Sequence, residues 1–282
     1  MILVFGKTGQ VARELRLLSP GARFLGRDEA DLTDPAACAA AIRAIRPAAV
    51  INAAAWTAVD LAEQNEDIAT CVNATAPGAM ARACAALDIP FVHISSDYVF
   101  DGAGCDPFAP EAATAPLGAY GRSKRAGEEA VRAANGCHAI LRTSWVFSAH
   151  GANFLRTMLR LGRGRDDVSV VADQIGGPTP ADAIAAACLT IAHTLIHDPA
   201  RSGTYHLAGA PNVSWAEFAR AIMDEAALPC RVADIPSSAY PTPARRPANS
   251  RLDCSGLAAF GLSRPDWRAA ISRIIPQIGD PA

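Results

Sequence analysis

The sequence predicts an α/β fold: a doubly wound parallel sheet of the Rossmann type, followed by a smaller α/β C-terminal domain. Three observations predict it. Short β-branched or apolar runs alternate with Ala-rich helical stretches through the first half, the pattern of a parallel sheet covered on both faces. A glycine turn separates the first run from the first helical stretch. After about Val146 the rhythm changes and the alternation becomes irregular.

The strand candidates are ILVF (2–5), ARFLG (22–26), AAVIN (48–52), PFVHIS (90–95) and HAILRT (138–143), with helical composition at Val11–Ser19, Pro35–Ile45 and Ala74–Leu87. Beyond Val146 come a helix at Asn153–Leu161, a strand at Val168–Ala172, a helix at Ala181–His197, a strand at Gly203–Leu207 and a helix at Trp215–Ala226. The Pro-rich stretch IPSSAYPTPARRPANSRLD reads as an ordered loop, because proline continues neither helices nor central strands. A last helix is expected near Trp267–Ile278. This places a dinucleotide-binding domain at 1–146, with returning segments within about 176–207, and a mainly substrate-binding domain at 147–282.

Bulk properties narrow the function. A chain of 282 residues can bury a sizeable core. Half of it is hydrophobic, yet no uncharged apolar run approaches the roughly 20 residues that span a bilayer. The start, MILVFGKTGQ, lacks the basic region and long apolar core of a signal peptide. Net charge is −2 with no basic tract, so neither nucleic acid nor an anionic membrane is expected as a partner. The eight cysteines contain no C-x-x-C pair and read as reduced thiols of a cytoplasmic protein. His193 and His197 stand at i, i+4 without a metalloprotease carboxylate, so an amphipathic helix face is the plainer reading of them.

The turn Gly6-Lys7-Thr8-Gly9-Gln10-Val11-Ala12 has the spacing G-x-x-G-x-x-A. Small residues at such a turn let a dinucleotide diphosphate approach the N-terminus of the helix that follows. The bland alternative is a structural strand-to-helix turn. Lys7 alone does not make it a nucleoside triphosphate loop. The second strand ends Gly26-Arg27-Asp28. Arginine there suits a ribose 2′-phosphate and aspartate a 2′-hydroxyl, so the pair leaves NADPH and NADH both open. Asp31 and Leu32 can flank the adenine, although Asp31 and Asp34 are equally well explained as decoration of a helix N-terminus.

Three more strand ends carry small or polar residues: Asn52-Ala53-Ala54-Ala55, Ser95-Ser96-Asp97-Tyr98 and Arg142-Thr143-Ser144-Trp145. Ligands of open parallel sheets bind outside the carboxyl ends of the strands, so these ends are expected to share one crevice. Tyr120 and Lys124 lie one helical turn apart in PLGAYGRSKRAGE. A phenol ordinarily titrates near 10. A lysine ammonium one turn away is expected to lower that value, and it can also hydrogen-bond a cofactor ribose. A serine hydroxyl, Ser96, can hold a carbonyl beside the tyrosine. Ser96, Tyr120 and Lys124 then form a set for hydride transfer to a ketone, with Tyr120 supplying the proton.

Glycine turn, Asn-Ala-Ala, serine strand end and Tyr-x-x-x-Lys, in this order, resemble the extended short-chain dehydrogenase/reductase family. Longer strings, including FGKTGQVA, NAAAWTAVDLAE, ISSDYVFDG, RTSWVFS, GANFLRTMLRLG, DQIGGPT, GTYHLAG, SWAEFARAI and YPTPARRPANSRLD, resemble its dTDP-4-dehydrorhamnose reductase branch over almost the whole chain. The resemblance implies reduction of the 4-keto group of a dTDP-6-deoxy-hexulose with NADPH or NADH, the last step toward dTDP-L-rhamnose for cell-surface polysaccharides. It implies cofactor contacts from Gly6, Thr8, Gly9, Gln10, Val11, Asp31, Leu32, Ala54, Ala55, Thr57, Tyr120 and Lys124. It implies sugar contacts from Ser96, Asp97, Tyr98 and Trp145, and diphosphate contacts from Arg246 and Asn249. On the residues alone, Trp145 also reads as a core tryptophan, and Arg246 and Asn249 as solvated loop residues.

Some family members are described as magnesium-bridged homodimers, and this chain is expected to be a monomer or a homodimer. Glu14, and less clearly Asp182, match the acidic positions, but two carboxylates make a weak Mg2+ site. Two rivals share the main motifs. One is a nucleotide-sugar epimerase or dehydratase; dehydratases of this group place Asp-Glu after the strand-four hydroxyl, where Ser96 is followed by Asp97-Tyr98. The other is a non-catalytic binding partner, like the methionine adenosyltransferase regulatory subunit that resembles this family.

Overall fold

The computed structural model describes residues 1–279; positions 280–282 of the expected C-terminal domain lie outside the described residues. Strand β1 (Ile2–Phe5) is apolar and wholly buried, as a central strand covered on both faces must be. Gly6 ends it at φ +115°, a conformation that only glycine adopts cheaply. Helix α1 (Gln10–Leu18) follows and buries Val11, Ala12 and Leu15. Next come β2 (Arg23–Leu25), α2 (Pro35–Ile45) and β3 (Ala49–Asn52). Asp34 caps α2 by accepting from the backbone N–H groups of Ala36 and Ala37, so the decorative reading of that residue holds.

Helices α3 (Val59–Ala62) and α4 (Glu66–Thr70) precede a π-helical turn, Cys71–Thr75, which runs on into α5 (Ala76–Ala85). The helix expected at 74–87 is thus the second half of a longer rod whose start has a weak apolar period. Strand β4 (Phe91–Ser96), helix α6 (Ala119–Ala133) and strand β5 (His138–Thr143) complete the first half.

The second half contains β6 (Val146–Phe147), α7 (Phe154–Gly164), β7 (Asp167–Val171), β8 (Ile175–Gly176), β9 (Thr179–Pro180), α8 (Ala181–His197), β10 (Gly203–Leu207), β11 (Val213–Ser214), α9 (Trp215–Glu225), β12 (Arg231–Ile235), β13 (Asn249–Ser250) and α10 (Trp267–Ile274). The two-residue strands are too short to leave a period in sequence, and none was foreseen. One of them, β13, interrupts the Pro-rich loop. The last α-helix stops at Ile274, not Ile278, and a 3-10 turn follows. Pro276 lacks the N–H that the next helical bond needs.

The main sheet has the order β10-β5-β4-β3-β1-β2, all parallel. The chain steps from β1 to β2 on one side and then returns to β3 on the other, which opens a crevice at the carboxyl end of β1. Late in the chain, β10 extends this sheet beside β5, and α8 packs on α1 and on β3, β4 and β5. One core cluster lies between the sheet and α8 with α1; a second lies on the opposite face under α2 and α5. A third, around Phe147, Leu159, Phe218, Ile222, Trp267 and Ile271, holds the smaller lobe together.

Helix α6 touches the π-helical turn backbone to backbone. A methyl group added at Gly127 would lie 2.1 Å from the carbonyl oxygen of Asn73. Gly127→Ala is therefore expected to destabilise the fold by about 1–3 kcal/mol, the usual cost of overpacking, and to lower the melting temperature by roughly 2–10 °C. An unchanged melting curve would show that the two helices have room to separate.

Candidate active site

The crevice at the end of β1 is lined by backbone. Gly6 backs onto the next loop so closely that a Cβ would stand 3.4 Å from the Ala53 carbonyl and the Ala54 nitrogen. Gly9 sits at the N-cap of α1, and no side chain among the described residues caps it. The first N–H groups of α1 thus face the crevice with the positive end of the helix dipole, an arrangement that fits a diphosphate. Thr8 is exposed at the mouth. Gln10 and Val11 offer backbone only. Val11 packs into the core, and the Gln10 Oε1 accepts from Ser148 Oγ (2.8 Å) and Asn153 Nδ2 (2.9 Å) in the smaller lobe. At the end of β2, Asp31 Oδ1 accepts the Thr33 N–H at 2.9 Å, while the Leu32 side chain is buried in the core and presents only its backbone.

The loop after β3 is pinned at both ends. Asn52 accepts the Ala54 N–H at 3.2 Å, and its amide donates to His93 Nδ1 at 3.2 Å. Asn73, in the π-helical turn, accepts the Trp56 N–H (2.9 Å) and donates to the Trp56 carbonyl (3.0 Å). It also donates to Ser123 Oγ (3.0 Å), whose own proton goes to the Tyr120 carbonyl (2.7 Å). Ala54 is half-buried, and Ala55 and Thr57 are exposed along this pinned loop. Sequence reasoning missed Asn73 and His93; single buried polar residues carry no motif.

Tyr120 and Lys124 project from α6 against β4 and are 9 % and 2 % exposed. Burial holds the Tyr120 phenol well above its ordinary value; the Ser96 hydroxyl pulls the other way, and the charge of Asp97 adds to the rise. The lowering expected from Lys124 is not met. Its ammonium donates to the Ile94 carbonyl at 2.7 Å, and burial dominates the phenol. Burial pulls Lys124 down to about 8, with Glu128 opposing, so it remains mostly charged at pH 7. Ser96 Oγ donates to Asp97 Oδ1 at 2.9 Å and accepts the Tyr98 N–H at 3.2 Å. A hydroxyl has one proton: turned to Asp97 it is withheld from Tyr120, and turned to Tyr120 it favours the phenolate.

Asp97 is buried, and burial pushes its carboxyl up to about 6 despite help from the Ser250 and Ser96 hydroxyls. Its Oδ2 finds no hydrogen-bond partner among the described residues. The Tyr98 ring meets Tyr120 edge-on at 5.4 Å. Arg246 reaches the same place: its guanidinium donates to Asp60 (2.7 Å) and to the Tyr98 hydroxyl (3.5 Å). Trp145 has φ +50°, a strained backbone for a bulky residue. It stacks on Trp215 at 3.6 Å, and Gly176, between it and Ser250, has no room for a Cβ.

Two expected residues stand apart from this group. Asn249 is 2 % exposed and spends its amide on the carbonyls of Asp106 (2.8 Å) and Ala103 (3.4 Å), so it holds the loop together. Arg142, at the end of β5, points away from the crevice into a buried pair with Glu128, making bonds of 2.7 and 2.8 Å. Glu14, on α1, lies opposite His150 at 3.4 Å and close enough to Asp182 to feel its charge; Asp182 is paired with Arg273 at 2.9 Å. Among the described residues no group of three or more His, Cys, Asp or Glu is placed to hold a metal. None of their helices is long and apolar enough to cross a membrane.

The family model for the RmlD substrate binding domain matches residues 1–279. A dTDP-4-dehydrorhamnose reductase of Sinorhizobium fredii is 44% identical over 97% of this chain and 96% of its own length. One of Burkholderia thailandensis is 45% identical over 96% of each. The crystal structure of a dTDP-4-dehydrorhamnose reductase of Bacillus anthracis, in complex with NADP, superposes with a TM-score of 0.91 at 33% identity and covers 98% of both chains.

The raised carboxyl of Asp97 makes a prediction about stability. Its folded-state value, about 6, lies above the ordinary 3.8. The folded chain therefore binds the proton more tightly than the unfolded chain, and this group's contribution falls as pH rises from about 4 to about 6. Asp97→Asn removes that loss. In denaturant titrations the stability of the variant relative to the wild type is expected to rise by on the order of 2–3 kcal/mol across this window. A constant difference would place the titration elsewhere.

Proposed function

The chain belongs to the RmlD substrate-binding-domain family, and from that membership and its site we propose that it reduces the 4-keto group of dTDP-4-dehydro-L-rhamnose to dTDP-L-rhamnose. This is the final step in making a rhamnose donor for cell-surface polysaccharide, and we place it in the cytoplasm. The observation that carries the reading is the meeting of a buried phenol, lysine, serine and carboxylate at the carboxyl end of β4, beside the glycine turn.

Reduced nicotinamide, from NADPH or NADH, supplies the hydride for the keto carbon. The turn from Gly6 to Val11 holds the diphosphate through backbone N–H groups, and the pinned loop from Ala54 to Thr57 lies along the dinucleotide. Tyr120 gives the proton to the carbonyl oxygen as negative charge builds there. A phenol held above its ordinary pKa is fully protonated at neutral pH, the state a donor needs. Ser96, hydrogen-bonded to Asp97, lies within reach of the phenol and keeps it oriented. Lys124 spends one N–H on the Ile94 carbonyl and has two left, for ribose hydroxyls and for the phenolate that remains after proton transfer.

Asp97 Oδ2 is a buried acceptor that a sugar hydroxyl satisfies, which offsets the cost of leaving it unpaired. Trp145 forms a wall of the sugar pocket. Arg246 keeps donors beyond those used by Asp60 and Tyr98 for the diphosphate of the nucleotide sugar.

The direct test is loss of reduced-nicotinamide absorbance with the keto sugar generated in place from dTDP-glucose by the upstream dehydratase and epimerase. Consumption that depends on both upstream enzymes, with dTDP-L-rhamnose as product, is expected. Activity with neither NADPH nor NADH would overturn the assignment. Tyr120→Phe is expected to lower kcat by about 10²–10⁴-fold while NADPH binding stays within about threefold. A variant that turns over at the wild-type rate removes Tyr120 from the mechanism. Lys124→Ala is expected to weaken both turnover and NADPH binding.

A further inference from the structure

The end of β2 shows which side chains stand where a doubly wound sheet receives the adenosine ribose of a dinucleotide. In sequence the rivals there are Arg27 and Asp28. Both side chains are turned to solvent, 81 % and 76 % exposed, and the Arg27 guanidinium lies 3.8 Å from Asp31. The position is taken by a residue from the glycine turn. The turn is sewn to β2 by the Gly6 N–H, which donates to the Leu25 carbonyl at 2.8 Å. Lys7 then lies across Gly26, so closely that a Cβ at Gly26 would stand 2.9 Å from Lys7 Cδ. The Lys7 ammonium donates to the Glu29 carboxylate and is 3.9 Å from Asp28. Glu29 Oε2 also accepts the Gly26 N–H at 3.4 Å.

Lys7 and Glu29, in contact with each other, thus share the ribose end of the crevice with Asp28, whose carboxylate lies 3.9 Å from the Lys7 ammonium. They suit the two forms of a pyridine dinucleotide in opposite ways. A carboxylate accepts from a ribose 2′-hydroxyl and repels a 2′-phosphate, whereas an ammonium does the reverse. The pair is about one-third exposed, and ion pairs in that setting are weak and exchange partners readily.

We propose that the Lys7–Glu29 pair determines how this chain discriminates a 2′-phosphorylated dinucleotide from its unphosphorylated form, Lys7 taking the phosphate and Glu29 the hydroxyl. Glu29 acts in both directions: it meets the hydroxyl itself, and by holding Lys7 it limits what the phosphate gains. The inference rests on the dinucleotide reading of the glycine turn given under the proposed function.

The test is fluorescence titration of NADPH and of NADH into the protein without sugar, at one fixed ionic strength, for wild type, Lys7→Met, Glu29→Gln and Arg27→Met. Lys7→Met is expected to weaken NADPH about tenfold, the loss of one charge-assisted hydrogen bond, and NADH less than about threefold. Glu29→Gln is expected to shift the NADPH-to-NADH affinity ratio the opposite way, toward NADPH. Equal changes for both dinucleotides in Lys7→Met, or discrimination that moves only in Arg27→Met, would overturn the proposal while leaving the reductase reading intact. Wild-type protein that binds neither dinucleotide would overturn both.

Discussion

Helix α6 lies so close to its neighbours that two of its positions have no room for a side chain. A Cβ at Gly121 would stand 2.2 Å from the Tyr98 carbonyl, and one at Gly127 would stand 2.1 Å from that of Asn73. This approach brings the helix down on the turn that ends β4 and on the π-helical turn before α5. Tyr120 and Lys124 project from the same helix, so the depth of both is set by those two glycines. Were α6 pushed outward by the width of a methyl group, the phenol would be hydrated and the ammonium would lose the Ile94 carbonyl. The chemistry of the site therefore rests on backbone packing, and the reacting groups follow from it.

The same closeness explains the unusual number of charges in the interior. Burial penalises the charged forms of Tyr120, Asp97 and Lys124 alike, and moves their pKa values in different directions because their charged forms differ in sign. Behind them Glu128 is fully buried and is offset by a two-bond pair with Arg142, helped by Arg132 at 2.9 Å. Burial would raise the Glu128 carboxyl, but these partners hold it below its ordinary value, so its charge persists and partly supports that of Lys124. A buried pair of this kind contributes little net stability. What it supplies here is a fixed anion one helical turn from the lysine.

Much of the fold was legible because its signals are long or chemically specific. The buried strands β1, β3, β4 and β5 each carry a core of apolar residues, and Gly6 with Gly9 marks the turn to α1. The Tyr-x-x-x-Lys spacing put Tyr120 and Lys124 on one face of a helix, and the fold buries both against β4. Sequence reasoning went astray where orientation decides. Arg142 ends a strand at the crevice, yet its side chain turns into the interior to meet Glu128. Asn249 is polar and in a Pro-rich loop, yet it serves carbonyl groups from a distant segment. The lysine's effect on Tyr120 was judged from spacing alone, without the desolvation that dominates the phenol. Asn73 and His93 were invisible because their roles exist only after residues tens of positions apart have met.

The Gln10 side chain joins the glycine turn to Ser148 and Asn153, partners 138 and 143 positions away in sequence. Contacts at such separations form late in folding, because the loop they close is costly in chain entropy until intervening structure has shortened it. The backbone of the turn after β1 is held by β2 and by the loop after β3, whereas the Gln10 side chain takes its partners from the segment that leads into α7. The side chain at the first motif in the chain is thus anchored only when the distant smaller lobe is in place.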